Sequence, residues 1–268
     1  MEITPRLVGE VLSLGTTILG RVWRRLIPPA FGAFVVLGGL TIITFAVTGA
    51  DDFVRLILND PQALDNLTDE ELFEPGVKLV QATSISVALQ LLATGFVNMA
   101  VHRIVATEIG GTPVGPGEAS IYAVKRLGVL AAAGFMAIVS IFFGLAALVL
   151  PGIWLAGQFT MVSPVIALED VGPLGAIRRS FSLVRGRWWQ TIGFLVLVGL
   201  LGSIAAQLVQ LIALPALATE DVGLGTGLGF FFLIVVQGLV VAAIAVMTTV
   251  WYLDLRARKE SLLTTNVI

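Results

Sequence analysis

The chain has 268 residues, of which 57% are hydrophobic and only 13% are charged, whereas charged residues make up about a quarter of a soluble domain. It contains no cysteine and one histidine, which excludes disulfides, thiolate nucleophiles and iron–sulfur clusters and leaves too few ligands for a histidine zinc site. Because 18 acidic residues balance 16 basic ones, no basic excess indicates nucleic acid as a partner. The composition predicts an all-α polytopic integral membrane protein.

The N-terminal segment 5–26 predicts an amphipathic helix on the cytoplasmic membrane surface. Its apolar residues recur at spacings of three and four, namely Leu7, Val11, Leu14, Ile18 and Val22. Charged residues such as Glu10 and Arg21 interrupt any compact apolar stretch, so we do not expect a cleaved signal peptide.

Six segments are long and apolar enough to cross the roughly 30 Å of membrane hydrocarbon, which needs about 20 residues of helix. They are 28–48, 79–101, 128–150, 152–168, 190–214 and 227–252. Pro151-Gly152 divides the third from the fourth and predicts a tight helical hairpin at that point. The fourth segment is short and contains Pro164, so a five-span topology is the alternative.

The distribution of lysine and arginine predicts the orientation, because these residues are retained on the cytoplasmic side. A six-span threading places only Arg55 and Lys78 outside, and we expect both termini, including a tail at 253–268, in the cytoplasm. The cytoplasmic set is Arg6, Arg21, Arg24, Arg25, Arg103, Lys125, Arg126, Arg178, Arg179, Arg185, Arg187, Arg256, Arg258 and Lys259.

The external loop 49–76 carries eight acidic residues and one arginine, and we interpret it as an acidic cap. Within it, Thr68 is followed three residues later by Glu71. This spacing predicts a capping box that opens a helix.

Two further cytoplasmic segments, 118–127 and 172–189, precede pairs of spans. In the second of them, Leu174, Ile177, Phe181, Val184 and Trp188 share one helical face, which predicts an amphipathic helix in the headgroup plane. The lead-in Val114-Gly115-Pro116 recurs as Val171-Gly172-Pro173. The pattern favours three repeated units of one surface helix and one transmembrane hairpin, with coincidental loop chemistry as the alternative.

Two stretches resemble the membrane domain of the glycerophosphoryl diester phosphodiesterase family, which also occurs as stand-alone prokaryotic membrane proteins. The first is Pro164–Asp170 together with Ala176–Trp189, and the second is Trp251–Glu260. In that family the phosphodiesterase activity belongs to a separate soluble domain, for which this chain has no room. The resemblance implies a prokaryotic inner or plasma membrane location and a membrane domain that anchors another component, regulates it or supplies it with substrate.

The most promising binding surface lies in segment 172–189, where four arginines flank Trp188 and Trp189 beside a span. Arginine pairs bidentately with phosphate and tryptophan prefers the headgroup region, so we expect anionic lipid headgroups to bind there. A purely topological role of these residues is the alternative. The residues of this predicted site are Arg178, Arg179, Arg185, Arg187 and Trp188.

Six amides interrupt the otherwise apolar spans: Gln90, Asn98, Gln158, Gln207, Gln210 and Gln237. They would line a polar path for a substrate, or they would form interhelical hydrogen bonds, and the second role is the commoner one. The near absence of charged residues in the spans argues against an ion-coupled pump.

His102 is the only candidate for acid–base chemistry near neutral pH, and the local sequence supplies it with no partner. We therefore expect a structural histidine and no enzyme, with no metal or cofactor. The favoured function is a non-catalytic membrane module that binds anionic lipid or scaffolds another membrane protein. The alternatives are a transporter or flippase of lipid-like molecules and an accessory subunit of a larger membrane complex.

Overall fold

A computed structural model describes the backbone of residues 8–59, 67–217 and 224–265, and this part of the chain folds into nine α-helices. Arg6 and residues 60–66 of the acidic loop lie outside the described residues. The helices are α1 (Val8–Thr48), α2 (Ala50–Asn59), α3 (Asp69–Ile109), α4 (Pro116–Ala147), α5 (Val149–Phe159), α6 (Val162–Leu168), α7 (Pro173–Val184), α8 (Trp188–Leu217) and α9 (Leu224–Thr265).

Six regions of this helical chain are long and apolar enough to cross a membrane, which confirms an all-α polytopic membrane protein. The fourth region combines α5 and α6. The central helices are α1, α3 and α9, which pack on one another, while α4 packs on α3 and α8 on α9. Each central helix has 41 or 42 residues, or about 60 Å at 1.5 Å per residue, twice the thickness of the hydrocarbon layer.

The predicted surface helix 5–26 is not separate from the first span. Helix α1 continues through Pro28 and Pro29, and a single buried stripe runs from Val11 through Val22 to Leu37. The apolar face expected to rest on lipid is therefore buried against the protein. Segments 118–127 and 253–265 are likewise continuous with the spans in α4 and α9.

The hairpin between the third and fourth spans turns at Leu148, three residues before the predicted position. Leu148 has extended backbone angles and ends α4. Pro151 is tolerated in the first turn of α5, because the N–H that it lacks has no partner in that turn. Beside the turn, Gly144 and Gly152 lie so close that a Cβ on Gly144 would be 3.0 Å from the Cα of Gly152.

The fourth span is discontinuous, since α5 ends at Phe159 and α6 begins at Val162. Pro164 explains the interruption, because it has no N–H to donate to the carbonyl of Thr160 in a continuous helix. The proline instead occupies the first turn of α6, where no helical donor is needed.

The two Val-Gly-Pro lead-ins have the same local structure. Gly115 and Gly172 are both extended N-caps, and each is followed by proline at the first helical position, which proline favours. Ala119 and Ala176, at the same offset, are both fully buried. The short sequence match thus corresponds to a matching helix start, while the larger threefold repeat stays a prediction.

Helix α7 is a separate element, because Gly186 adopts a left-handed conformation (φ +84°) between α7 and α8. Its inward face packs on α5 and α6. Phe181 contacts the rings of Trp154 and Phe159 edge-on, with centroids 5.9 and 5.3 Å away. The apolar face predicted to enter the headgroup layer therefore packs mainly on protein, although Leu174 remains exposed.

Candidate functional site

Helices α3, α4, α6, α7 and α9 meet around the connection between α6 and α7, and several ion pairs lie in this region. We call this region the basic end. It contains the predicted lipid-binding segment, His102 and both stretches that carry the family resemblance.

Glu169 is the centre of a polar network at the basic end. Both of its carboxylate oxygens accept from the Nε of Arg179 at 2.9 Å, and Oε1 also accepts from the hydroxyl of Tyr252 at 2.5 Å. Arg179 also lies 3.5 Å from Glu260, which accepts from the Nε of Arg256 at 2.7 Å. The network joins the end of α6 to α7 and α9, and it connects the two stretches with the family resemblance.

Arg126 of α4 holds the connection between α6 and α7 from the other side. Its Nη2 donates to the carbonyls of Ile166 and Val171, both at 3.1 Å, and its Nη1 lies 3.0 Å from Asp170. The planar guanidinium suits this arrangement, because it directs several N–H groups in fixed directions. Arg126 thereby satisfies a carbonyl at the C-terminus of α6 that has no helical partner.

Other acids at this end are also paired with arginines. Asp254, buried on α9, accepts from Arg258 one turn further along the same helix at 2.6 Å. Glu108 accepts from Arg25 at 2.5 Å and so links the end of α3 to α1. These pairs neutralise acids that would otherwise repel an anionic ligand.

The predicted lipid site divides into residues turned toward the protein and residues left exposed. Arg179 faces inward onto Glu169, and Trp188 donates from Nε1 to the carbonyl of Trp154 at 3.0 Å. Arg178 and Arg185 are exposed. Half-buried Arg187 donates to Gln190 at 2.7 Å. The structure therefore does not bring the five predicted residues into one site, because Arg179 and Trp188 have structural partners.

The exposed residues form a smaller face. Arg178 and Arg185 are seven positions apart and lie on the same side of α7, opposite the buried Ala176 and Ser180. Within the described residues no ion pair includes either arginine. Trp189, which neighbours Trp188 in the predicted surface but is not among its five site residues, is 81% exposed at the start of α8. We call Arg178 on α7, together with Arg185, Arg187 and Trp189 just after its end, the α7 face.

The six intramembrane amides do not converge on one path. Gln158 is buried, Gln90 and Asn98 are half-buried, and Gln237 is exposed. Gln207 and Gln210 both line an open groove of about 630 Å³. The groove is lined by Ser203, Ile204, Gln207, Leu208, Gln210 and Leu211 of α8 and Leu233 of α9.

His102 has two side-chain partners that sequence reasoning missed. Its Nδ1 lies 2.8 Å from the hydroxyl oxygen of Thr249, and its Nε2 lies 3.1 Å from that of Ser163. The partners are 147 and 61 residues away in the chain, so no local motif could have identified them. Only the packing of α3, α6 and α9 brings the three residues together.

No group of metal-ligating side chains occurs among the described residues. Comparison of the chain with models of known protein families, with curated proteins and with solved structures found no match. The resemblance to the phosphodiesterase membrane domain therefore stays a prediction based on the two stretches at the basic end.

Proposed function

We propose that this chain is a multi-pass membrane module that binds anionic lipid headgroups through the α7 face. The observation that carries the proposal is the separation of charges at the basic end. Glu169, Asp170, Glu108 and Asp254 are each paired with an arginine of the bundle, whereas Arg178 and Arg185 are exposed. The positive charge of the α7 face is therefore available to a ligand.

The chemistry of the α7 face suits a membrane surface. Guanidinium groups bind phosphate through paired hydrogen bonds, and each basic residue near an anionic leaflet contributes about 1 kcal/mol. The exposed indole of Trp189 has the amphipathic character of residues at the boundary between headgroups and hydrocarbon. The side chain of Leu174, which lies on α7 one turn before Arg178 and is 57% exposed, adds apolar contact area.

We further propose that the basic end faces the cytoplasm of a prokaryotic cell, with both chain termini on that side. The uneven distribution of lysine and arginine supports this orientation. Because the chain has no cysteine, single cysteines introduced at Arg178 and at Glu70 provide a clean test. An impermeant thiol reagent added to intact cells should label the cysteine at Glu70 and leave the one at Arg178 unlabelled, and the reverse result would refute the proposed orientation.

Lipid binding is tested with the full chain reconstituted in nanodiscs that contain either neutral lipid or a fraction of phosphatidylglycerol. Native mass spectrometry then counts the lipids that remain bound after the protein is released from the nanodiscs. Replacing both Arg178 and Arg185 by glutamine should reduce retention of the anionic lipid about 30-fold, from roughly 1 kcal/mol for each arginine. Replacing Arg21 and Arg24 on α1 removes the same charge elsewhere and serves as the control. Equal retention in all three proteins would contradict a site at the α7 face.

The groove beside α8 favours a second candidate function, the transport of amphipathic small molecules. Its side chains are mostly apolar, but Ser203, Gln207 and Gln210 offer hydrogen bonds along one helical face. Replacing Gln207 and Gln210 by leucine should abolish uptake of a fluorescent phospholipid into proteoliposomes if the groove is a transport path. If proteoliposomes that contain the unmodified protein take up no more lipid than empty liposomes do, this candidate is eliminated.

A further inference from the structure

Ser163, His102 and Thr249 form a hydrogen-bonded chain that joins α6, α3 and α9. We propose that Ser163 is a nucleophilic serine, that His102 is its general base, and that acyl esters of membrane lipids are its substrate class. The inference goes beyond lipid binding at the α7 face and does not rest on it. Its basis is geometric. A nucleophile is activated when its hydroxyl contacts a base and a third group orients that base.

The hydrogen bonds define which ring nitrogen is basic. Thr249 donates its own proton to the carbonyl of Ala245 at 2.7 Å, so its oxygen accepts from the Nδ1–H of His102. The Nε2 atom is then the unprotonated nitrogen of the neutral ring. This nitrogen faces the hydroxyl of Ser163 at 3.1 Å, within the range for proton transfer.

The base and the residue that orients it are buried, whereas the proposed nucleophile is partly exposed. His102 and Thr249 are 1% and 0% exposed, which fixes the imidazole and keeps water from its basic nitrogen. Ser163 is the one member of the three that is not fully buried, so it is the most accessible of them. The two hydroxyls that contact His102 are uncharged, which favours a neutral ester over an anionic substrate.

The reaction balances without a cofactor. The Ser163 oxygen attacks the ester carbonyl carbon while its proton passes to Nε2 of His102. Collapse of the tetrahedral intermediate breaks the bond to the leaving alkoxide, which takes the proton from His102 and departs as an alcohol. Since Thr249 is uncharged, it stabilises the transient imidazolium less than a carboxylate would, and we expect slow acylation of Ser163.

The first test treats the full chain in detergent with a fluorophosphonate probe, which is followed by peptide mass spectrometry. The probe should modify Ser163, and His102→Gln should slow the modification about 100-fold, at the lower end of general-base contributions. Ser182, a half-buried serine of α7 that donates to a backbone carbonyl, is the internal reference. Modification of Ser163 no faster than that of Ser182 would overturn the proposal.

A second test separates activation from a structural role of the histidine. The Thr249→Ser variant keeps the hydroxyl that orients His102 and should retain the labelling rate, while Thr249→Val should lose it.

A third test uses Ser163→Cys, which places the only thiol in the chain beside His102. Iodoacetamide should alkylate this thiol about tenfold faster than the thiol of Ser182→Cys. Equal alkylation rates, or equal labelling of both Thr249 variants, would show that the chain of hydrogen bonds is only structural.

Discussion

Arg179 donates from a single Nε to both carboxylate oxygens of Glu169, each at 2.9 Å, and so holds α7 against the end of α6. The side chains of Glu169 and Arg179 are 16% and 28% exposed. Removing one partner of such a shielded pair costs more stability than removing one partner of an ion pair in open water, because the other charge stays partly buried and unpaired. The adjacent Asp170, whose side chain is 94% exposed and pairs with Arg126, allows an exposed ion pair to be compared with this shielded one.

We expect Glu169→Gln to lower the free energy of unfolding by about 2 kcal/mol, because it removes the charge that binds Arg179 and leaves that guanidinium partly buried. Asp170→Asn should cost less than about 1 kcal/mol, as is usual for an exposed ion pair. Unfolding by SDS in mixed micelles measures both changes. Equal losses in the two variants would contradict the central role of Glu169.

A second prediction concerns the geometry of Arg126. Arg126→Lys keeps the positive charge, but one ammonium group cannot reach Ile166, Val171 and Asp170 together in the way that the planar guanidinium does. We expect a loss of about 1–2 kcal/mol of stability and faster amide hydrogen exchange across 166–176. Replacing the neighbouring exposed Lys125 by glutamine should change neither quantity. Unaltered exchange in Arg126→Lys would show that charge alone holds this connection.

Local signals in the sequence predict several elements correctly. The capping box is present, since Thr68 accepts from the backbone N–H of Glu71 and the Glu71 carboxylate accepts from the backbone N–H of Thr68. Six apolar helical regions long enough to cross a membrane are also confirmed, and the helices predicted at 118–127 and 172–189 begin within two residues of the predicted positions, at Pro116 and Pro173. All of these depend on residues within one or a few helical turns of one another, which is the range that sequence spacing describes.

Other features could not be predicted because periodicity shows that a helix face is buried and does not show what covers it. The apolar stripes of α1 and α7 fit a lipid surface equally well, yet Val22 and Val184 are fully buried within the bundle. Likewise, the side chain of Arg179 points inward because α9 places Tyr252 and Glu260 beside it. These relationships are set by long-range packing, which leaves no pattern in the local sequence.

The close approach of α5 to α8 gives a third prediction. A Cβ on Gly157 would overlap with Nε1 of Trp188, the atom that donates to the carbonyl of Trp154. Gly157→Ala should therefore displace the indole and cost about 1–3 kcal/mol through overpacking. Gly193→Ala on α8 meets no atom within 4 Å and should be neutral or stabilising, because alanine favours helix. A stability loss in both variants would point to a general effect of adding side chains.

The contact between α1 and α9 gives the last prediction. A Cβ on Gly238 would lie 3.0 Å from the carbonyl oxygen of Ala30 and 3.2 Å from the ring of Phe34, so the two backbones approach closely because this residue has no side chain. We expect Gly238→Leu to push the helices apart and to lower stability by at least about 2 kcal/mol. Gly39→Leu, in open space on α1, is the control.

Because the native chain has no cysteine, spin labels on cysteines introduced at the exposed positions Val36 and Leu239 report the distance between α1 and α9. That distance should increase in Gly238→Leu and stay unchanged in Gly39→Leu. If it stays constant in both variants, the bundle can accommodate a leucine at position 238, and the interface between its central helices depends on the aligned apolar stripe more than on the glycine.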